Sequence, residues 1–479
     1  MSHSNGRSRH GNSSSSPRHA RPALEGLEER LLMYGALGGN WVYGSRITYS
    51  FAPDGTSIGG TPSTLYQSLT ARMWESTWQV AFQRAAAAWQ AVAGINLVQV
   101  SDNGMPFGEY GHQQGDSRVG DIRIGAIAQG SGTLALAFAP PQINGGTLAG
   151  DIVLNSTIPW NVNATYDLQT VAIHELGHAL GMDHSAIYNA AMYQYYVGGK
   201  QSLHADDTAG IRAIYGARRF DDWNSYGNSN LYYWEAKSLD TWRNGLNQIT
   251  VPNLNITMPG QAEWFWVTIP ADSVGGFTVR MQSAGLSSLT PQITVYDASL
   301  NLKGTAATAG FGDTATLTVH GAIGQGFFIK LSPASWGGST GSYGLQINFG
   351  TNPLTPFQPP YTVIPHQPGT GGGFMSMTAD AGAGAHDDET VRIGSLIGQG
   401  HTYTIPPADP TATTSVVAAA APPLGAAWGQ ALRQDVSASS RGGSWIAIGF
   451  LDEALSAWGS GDDDASPAFG GRMRARKPA

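Results

Sequence analysis

The stretch His174-Glu175-Leu176-Gly177-His178-Ala179-Leu180-Gly181-Met182-Asp183-His184 limits what this chain can fold into more than any other part of it. Histidines four positions apart lie one above the other on one face of a helix. The spacing of His174 and His178 therefore predicts a helix that presents two imidazoles to one zinc ion. Glu175, beside them, is placed to accept a proton from an attacking water. Gly181 lets the chain leave the helix, because glycine tolerates positive φ, and the turn brings His184 round as a third ligand. Three protein ligands with a fourth position left for water mark a catalytic zinc rather than a structural one. A pair of spaced histidines with a glutamate arises by chance in ordinary helices. The added glycine and third histidine make that reading a poor one.

The stretch resembles the metzincin signature of zinc endopeptidases, and Ser185 directly after His184 is the matrixin version of it. Ala190-Ala191-Met192-Tyr193 is similar to the Met-turn of that family, which implies that Met192 supports the zinc ligands by packing and is not a ligand itself. Leu203-His204-Ala205-Asp206-Asp207-Thr208-Ala209-Gly210-Ile211-Arg212-Ala213-Ile214-Tyr215-Gly216 resembles the last helix of a matrixin domain. Two residues after Met192 stands Gln194, where serralysins and astacins carry a tyrosine ligand, which favours the matrixin branch.

The chain of 479 residues has room for two or three domains. Charged residues make up only 13 %, with 63 Gly and 26 Pro, which suggests a strand- and loop-rich protein. A net charge of −8 gives no support for nucleic-acid binding. With no cysteine, disulfides, thiolate metal sites and cysteine nucleophiles are excluded, as is the propeptide cysteine that blocks the zinc of animal matrixins. No apolar run reaches the ~18–20 residues of a membrane helix. Residues 1–40 read as a basic leader, mostly disordered, with Arg7, Arg9, Arg18 and Arg21 but no apolar signal core. Within it, Leu24-Glu25-Gly26-Leu27-Glu28-Glu29-Arg30-Leu31-Leu32 resembles a short motif of large exported bacterial proteins. That resemblance implies a secreted or cell-surface protein; a short helical turn in a disordered leader explains the segment equally well.

Residues 41–216 read as an α+β domain of the metzincin type, with a mixed twisted sheet, long helices and a zinc cleft. Strands are expected at 46–51, 95–100, 121–125, 133–141 and 151–154. A helix is expected over 69–92, where Trp74, Trp78, Phe82, Ala85, Ala86 and Trp89 recur at helical spacing, and the zinc helix over 163–181, with Asp167 early in it. Pro140 and Pro141 stop the strand at 133–141, which makes it an edge strand. In matrixins that strand pairs with an extended substrate, so the resemblance implies backbone contacts from Leu134 and Ala135. It also implies a pocket for the side chain after the scissile bond, lined by 193–202 with Tyr193 in its wall.

The chain departs from animal matrixins where those hold a structural zinc: Leu136 and Val153 stand in place of two histidines, so one catalytic zinc is expected. Asn155 replaces an acid that usually holds calcium, whereas Asp121 and Asp151 match acids of the other calcium site. These two aspartates read equally well as calcium ligands and as solvated strand-end groups. His112 and Asp116 lie in the glycine-rich loop 108–120, where a lone histidine reads as solvated surface rather than as a ligand.

From 221 to 350 the pattern changes to short alternating runs at 263–269, 277–282, 292–296, 314–319, 327–331 and 343–349, which read as a β-sandwich. Ser283-Ala284-Gly285-Leu286, Val295-Tyr296-Asp297-Ala298 and Gly341-Ser342-Tyr343-Gly344-Leu345 resemble the pre-peptidase C-terminal-type sandwich found beside secreted bacterial proteases. No titratable groups converge there by sequence, so a binding, secretion or spacer role is expected. The aromatic stretch 220–247 reads as packing between domains, with a sugar-binding face as the rival. Residues 351–479 read as a Pro/Gly/Ala-rich linker or disordered tail, with one short helix at 444–458.

Together the residues and the resemblance imply a zinc-dependent endopeptidase acting on extended protein or peptide substrates, with Glu175 as general base and His174, His178 and His184 on zinc. No nucleic-acid partner is implied, and a monomer is expected. Two rivals remain at this level: an inactive adhesion or surface protein on a metzincin scaffold, and a hydrolase of another amide such as cell-wall peptide.

Overall fold

The computed structural model describes residues 1–2, 34–129, 134–224, 229–335, 337–358 and 363–366, with short strands at 373–376, 392–395, 403–405 and 414–416. Residues 3–33 of the basic leader, Thr133, Tyr226, the short helix expected at 444–458 and most of the tail lie outside the described residues. Residues 34–40, expected to be leader, belong instead to the folded part, with a strand at Tyr34–Ala36 and Leu37 N donating to Gly181 O (2.9 Å). Among the described residues no helix is long and apolar enough to cross a membrane.

The first half is built on one sheet. Strand β1 (Tyr34–Ala36) precedes β2 (Ile47–Phe51), and a two-residue pair, β3 (Ser57–Ile58) and β4 (Thr61–Pro62), forms a small hairpin. After helices α1 (Leu65–Thr70) and α2 (Glu75–Val92) come β5 (Leu97–Gln99), β6 (Ile122–Ile127), β7 (Ala135–Ala137) and β8 (Ile152–Asn155). The sheet order is β5-β2-β6-β8-β7, parallel throughout except for β7, which runs antiparallel at the edge. Parallel neighbours need crossover connections and bury both faces, which is why β2, β6 and β8 are buried end to end, their polar members Thr48, Ser50, Arg123 and Asn155 included.

The expected single helix over 69–92 is two helices. Residues 71–74 break it, and Trp74, at the N-cap of α2, is 84 % exposed rather than part of the buried stripe. From Trp78 onward the predicted face holds: Trp78, Phe82, Ala85, Ala86 and Trp89 are buried against the sheet and the next helix. Each large side chain so buried contributes about 1.5–3 kcal/mol. The zinc helix, α3, spans Leu168–Ala179, shorter than the spacing suggested, because Asp167 is its N-cap and not part of its first turn. The chain continues through β9 (Met182–Ser185), which pairs with β1, to α4 (Ala205–Tyr215).

Leu136 and Val153 are cross-strand partners on β7 and β8. Val153 joins Ala52, Ile58, Phe107, Ile127, Phe138 and Leu148 in a small apolar cluster. Thus the two residues that replace histidines stand opposite each other in an apolar setting.

The second half has two sheets facing each other over one apolar core. The first has order β10-β12-β17-β14-β15, from β10 (Lys237–Ser238), β12 (Glu263–Thr268), β14 (Pro291–Asp297), β15 (Leu302–Ala307) and β17 (Gly326–Pro333). The second has order β11-β18-β13-β16, from β11 (Gln248–Ile256), β13 (Gly276–Gln282), β16 (Thr314–His320) and β18 (Gly341–Asn348). The aromatic stretch packs differently from expectation. Trp223 meets Phe265 and Trp242, and Tyr233 meets Trp264 and Phe328, so it lies against the first of these sheets, with Tyr232 and Trp234 exposed and stacked on each other.

The two halves are joined by buried polar contacts. Gln90 on α2 donates from Nε2 to Thr340 O (2.6 Å), and its Oε1 accepts from Ser288 N (3.0 Å) and Leu97 N (3.0 Å). Ser288 Oγ donates to Leu97 O (2.5 Å), so both backbone groups of Leu97 on β5 are taken. Arg218 donates to Gln90 O (3.1 Å), Asn96 Oδ1 (2.9 Å) and Asn255 Oδ1 (2.7 Å). Beyond residue 350 the chain is not simply a tail: Phe357 exchanges hydrogen bonds with the Gln282 side chain (both 2.9 Å), and Ile364 pairs with Gln114.

Candidate active site

Every residue of α3 is buried. Asp167 starts the helix: its carboxylate accepts from Thr170 N (3.0 Å) and Thr170 Oγ1 (2.5 Å), and its own N–H donates to Tyr196 Oη (2.8 Å). The helix is held from three sides. Trp89 Nε1 donates to Ile173 O (2.8 Å), Trp41 Nε1 to Ala179 O (2.9 Å), and Tyr215 Oη to Leu180 O (2.9 Å). Gly181 then turns the chain with φ of +103°, as the spacing predicted, and a side chain there would collide with the Gly39 carbonyl.

His174, His178 and His184 meet, with ligand nitrogens all within 4.8 Å of one another. They form the one such group of three among the described residues. His174 Nδ1 lies 2.8 Å from Ala191 O, and His178 Nδ1 lies 2.8 Å from Met182 O. A carbonyl only accepts, so each Nδ1 carries the hydrogen and each Nε2 presents a lone pair. These two Nε2 atoms face each other at 2.9 Å. His184 adds a buried Nε2 with no hydrogen-bond partner. Three converging lone pairs without a donor among them fit a shared cation, and a nitrogen donor set of this kind suits zinc. Burial pushes all three imidazoles below the usual histidine range, and for His174 and His178 the neighbouring histidines add to it, so they are held neutral, the form that binds metal. Glu175, fully buried, lies next to His174 in the helix.

Met192 packs against α3 at Gly177. Gly177 leaves room for its sulfur: a Cβ there would strike Met192 Sδ and stand 2.7 Å from Trp89 Cζ2. Asp207, on α4, accepts from Ala191 N (2.8 Å), Met192 N (3.1 Å) and His204 N (2.7 Å). Its carboxylate thus fixes the turn whose carbonyl orients His174. Burial raises the Asp207 carboxyl above the usual range, against these three amides. Asp207, Trp89 and Tyr215 act on the site and were not singled out for it by sequence. The pair Asp206-Asp207 at the start of a helix was the one visible signal, and it reads first as helix-end charge.

At the edge, β7 pairs with β8 alone among the described residues, and α3 packs beside it. Leu134 O accepts from Asn155 N (2.8 Å), so that carbonyl points into the sheet. By alternation the backbone of Ala135 points outward. Tyr193 sits one residue past Met192, half-buried, with its ring near those of Tyr188 (5.4 Å) and Tyr195 (5.8 Å). Asp121 uses both oxygens on backbone amides, Thr48 N (2.8 Å) and Gly115 N (2.6 Å). Asp151 Oδ1 accepts from Arg123 N (2.9 Å), while its Oδ2 is buried with no hydrogen-bond partner. Asp116 pairs with Arg118 (2.7 Å), and His112 is exposed.

A mixed sheet with an antiparallel edge strand, a buried helix beside it and three histidines converging from helix and turn make an α/β domain with a candidate metal centre. Residues 46–216 match the Matrixin family model. The same region is similar to karilysin of Tannerella forsythia, 35 % identical over 142 residues, which is 28 % of each protein. It is also similar to metalloendoproteinase 2-MMP of Arabidopsis thaliana, 30 % identical over 202 residues (38 % of this chain and 50 % of that protein). Interstitial collagenase of Equus caballus is 34 % identical over 143 residues, 28 % of each. The chain spans half or less of the length of these relatives. The matrixin domain and these relatives support a zinc metalloendopeptidase.

Proposed function

We propose that this chain hydrolyses peptide bonds of extended protein substrates as a zinc-dependent endopeptidase. The observation that carries the reading is the facing of His174 and His178 Nε2 at 2.9 Å with both Nδ1 atoms committed to carbonyls. When bound by His174, His178 and His184, zinc supplies Lewis acidity and lowers the pKa of water towards ~7. Glu175 accepts the proton of the attacking water and passes it to the leaving amine. The outward backbone of Ala135 pairs with the substrate as an added strand, with Leu134 beside it. Tyr193 forms part of the wall for the side chain after the scissile bond, and Met192 supports the histidines from below. Secretion accords with such a substrate. For calcium at Asp121 and Asp151, the buried Asp151 Oδ2 is the supporting group, and equilibrium dialysis against calcium tests it.

The test of the main reading is cleavage of casein with and without a chelator, and by Glu175→Ala. Cleavage indifferent to both sinks it. One bound zinc per chain without turnover would favour an inactive scaffold.

A further inference from the structure

Lys200 lies between the Met192 turn and α4, and the mechanism above does not use it. Its backbone N–H donates to Thr170 Oγ1 (2.7 Å), and that hydroxyl donates to Asp167 Oδ2 (2.5 Å). The residue is therefore anchored at the start of the zinc helix. Its ammonium reaches the other way. It donates to Ala190 O (3.0 Å) and to Tyr188 O, and it stands 4.8 Å from the ring centre of Tyr193 and 5.4 Å from that of Tyr188.

The same turn is gripped by Asp207 through Ala191 N and Met192 N. A cation thus holds the carbonyls at 188 and 190 while an anion holds the amides at 191 and 192. Each charge sits on the partner of opposite polarity, and charge-assisted bonds of this kind are the strong ones. The Lys200 cation also meets the Tyr193 ring through its π face, an attraction that grows as the ammonium is desolvated. An uncharged side chain of the same length supplies none of these contacts.

We propose that Lys200 is a specificity-determining positioning residue, one that fixes the Tyr188–Tyr193 turn and the Tyr193 ring as a wall of the substrate pocket. This rests on the endopeptidase reading above. Loss of the cation then loosens the wall without removing a zinc ligand or Glu175.

The test uses the full chain as wild type, Lys200→Met and Lys200→Arg, with Lys200→Gln in place of the methionine variant should that one not fold. A peptide library varied at the residue after the scissile bond gives kcat/KM for each side chain. In Lys200→Met the ratio of best to worst side chain is expected to fall about tenfold, mainly through KM, with zinc still at one per chain, and amide exchange at Ala191 and Met192 to rise about tenfold, the scale of a lost charge-assisted contact. Lys200→Arg is expected to keep both within about threefold of wild type. Unchanged exchange in Lys200→Met overturns the proposal, whether or not the wild type cleaves anything. Faster exchange with unchanged selectivity overturns it too. A wild type that shows no zinc-dependent cleavage sinks the endopeptidase reading instead, and exchange alone then decides whether Lys200 positions the turn.

Discussion

In the sandwich half, Glu263 is fully buried and three neighbours point donors at it. Asn224 Nδ2 (2.7 Å) and Gln261 Nε2 (3.1 Å) bond to Oε1, and the Tyr343 hydroxyl donates to Oε2. In the catalytic half, His174 and His178 are equally buried, but they spend their donors on carbonyls and turn acceptors toward each other. The first cluster closes its own hydrogen bonds; the second leaves lone pairs converging on one point. Burial is the same in both. What separates a structural polar cluster from a chemical one here is whether the capacity left over points inward at a shared position.

The sharpest way to break that contrast is at Glu175. Glu175→Gln should lower kcat/KM about 10²–10⁴-fold, the range of general acid–base catalysis, while zinc content measured by metal analysis stays at one per chain. Next, His184→Ala should weaken zinc binding more than about 100-fold in a competition titration, beyond the 10–100-fold typical of losing a supporting group. Retention of tight zinc would mean that the lone pairs of His174 and His178 suffice. Glu263→Ala should cost about 2 kcal/mol in urea unfolding, because the amides of Asn224 and Gln261 and the Tyr343 hydroxyl lose their acceptor, and it should leave zinc content untouched.

The smallest effect is a pH slope. Burial holds the Glu263 carboxyl well above the usual range, and the Asp221 charge adds to this, while its hydrogen bonds oppose it. The folded state therefore keeps a proton that the unfolded chain releases. Its contribution is complete below the unfolded value of about 4.3 and is lost as pH rises through the folded value. Glu263→Gln should flatten the fall in urea midpoint between those two values, and an unchanged slope would assign the pH dependence elsewhere.

The grouping of His174, His178 and His184, with Glu175 and Met192 close by, was readable because these residues lie within one helix and the turns after it, where spacing along the chain is spacing in space. Trp89, Tyr215 and Lys200 carry no local mark of their part in the site, and Asp207 showed only as helix-end charge. In the sandwich, the run 248–256 escaped notice because Pro252 and two asparagines interrupt its alternation, and the pairing shifts register between Val251 and Leu254. The exposed strand 302–307 escaped because it has no apolar face to show. Glu263 looked like one acid in an apolar strand, since Asn224 and Tyr343, which make it a cluster, come from distant segments. The break between α1 and α2 was hidden by Trp74, which fits the helical spacing but faces water.

The capping of Leu97 by Gln90 and Ser288 has a consequence for production of the catalytic half by itself. With both backbone groups of Leu97 taken, that flank of the sheet offers less free backbone to a further strand than the β7 flank does. Cut at 217–220, the same sheet would lose the Ser288 contact and carry unsatisfied backbone on both flanks. Preparations of that fragment would then be prone to chain-to-chain strand pairing, and a concentration-dependent loss of activity in the fragment would owe nothing to its zinc site.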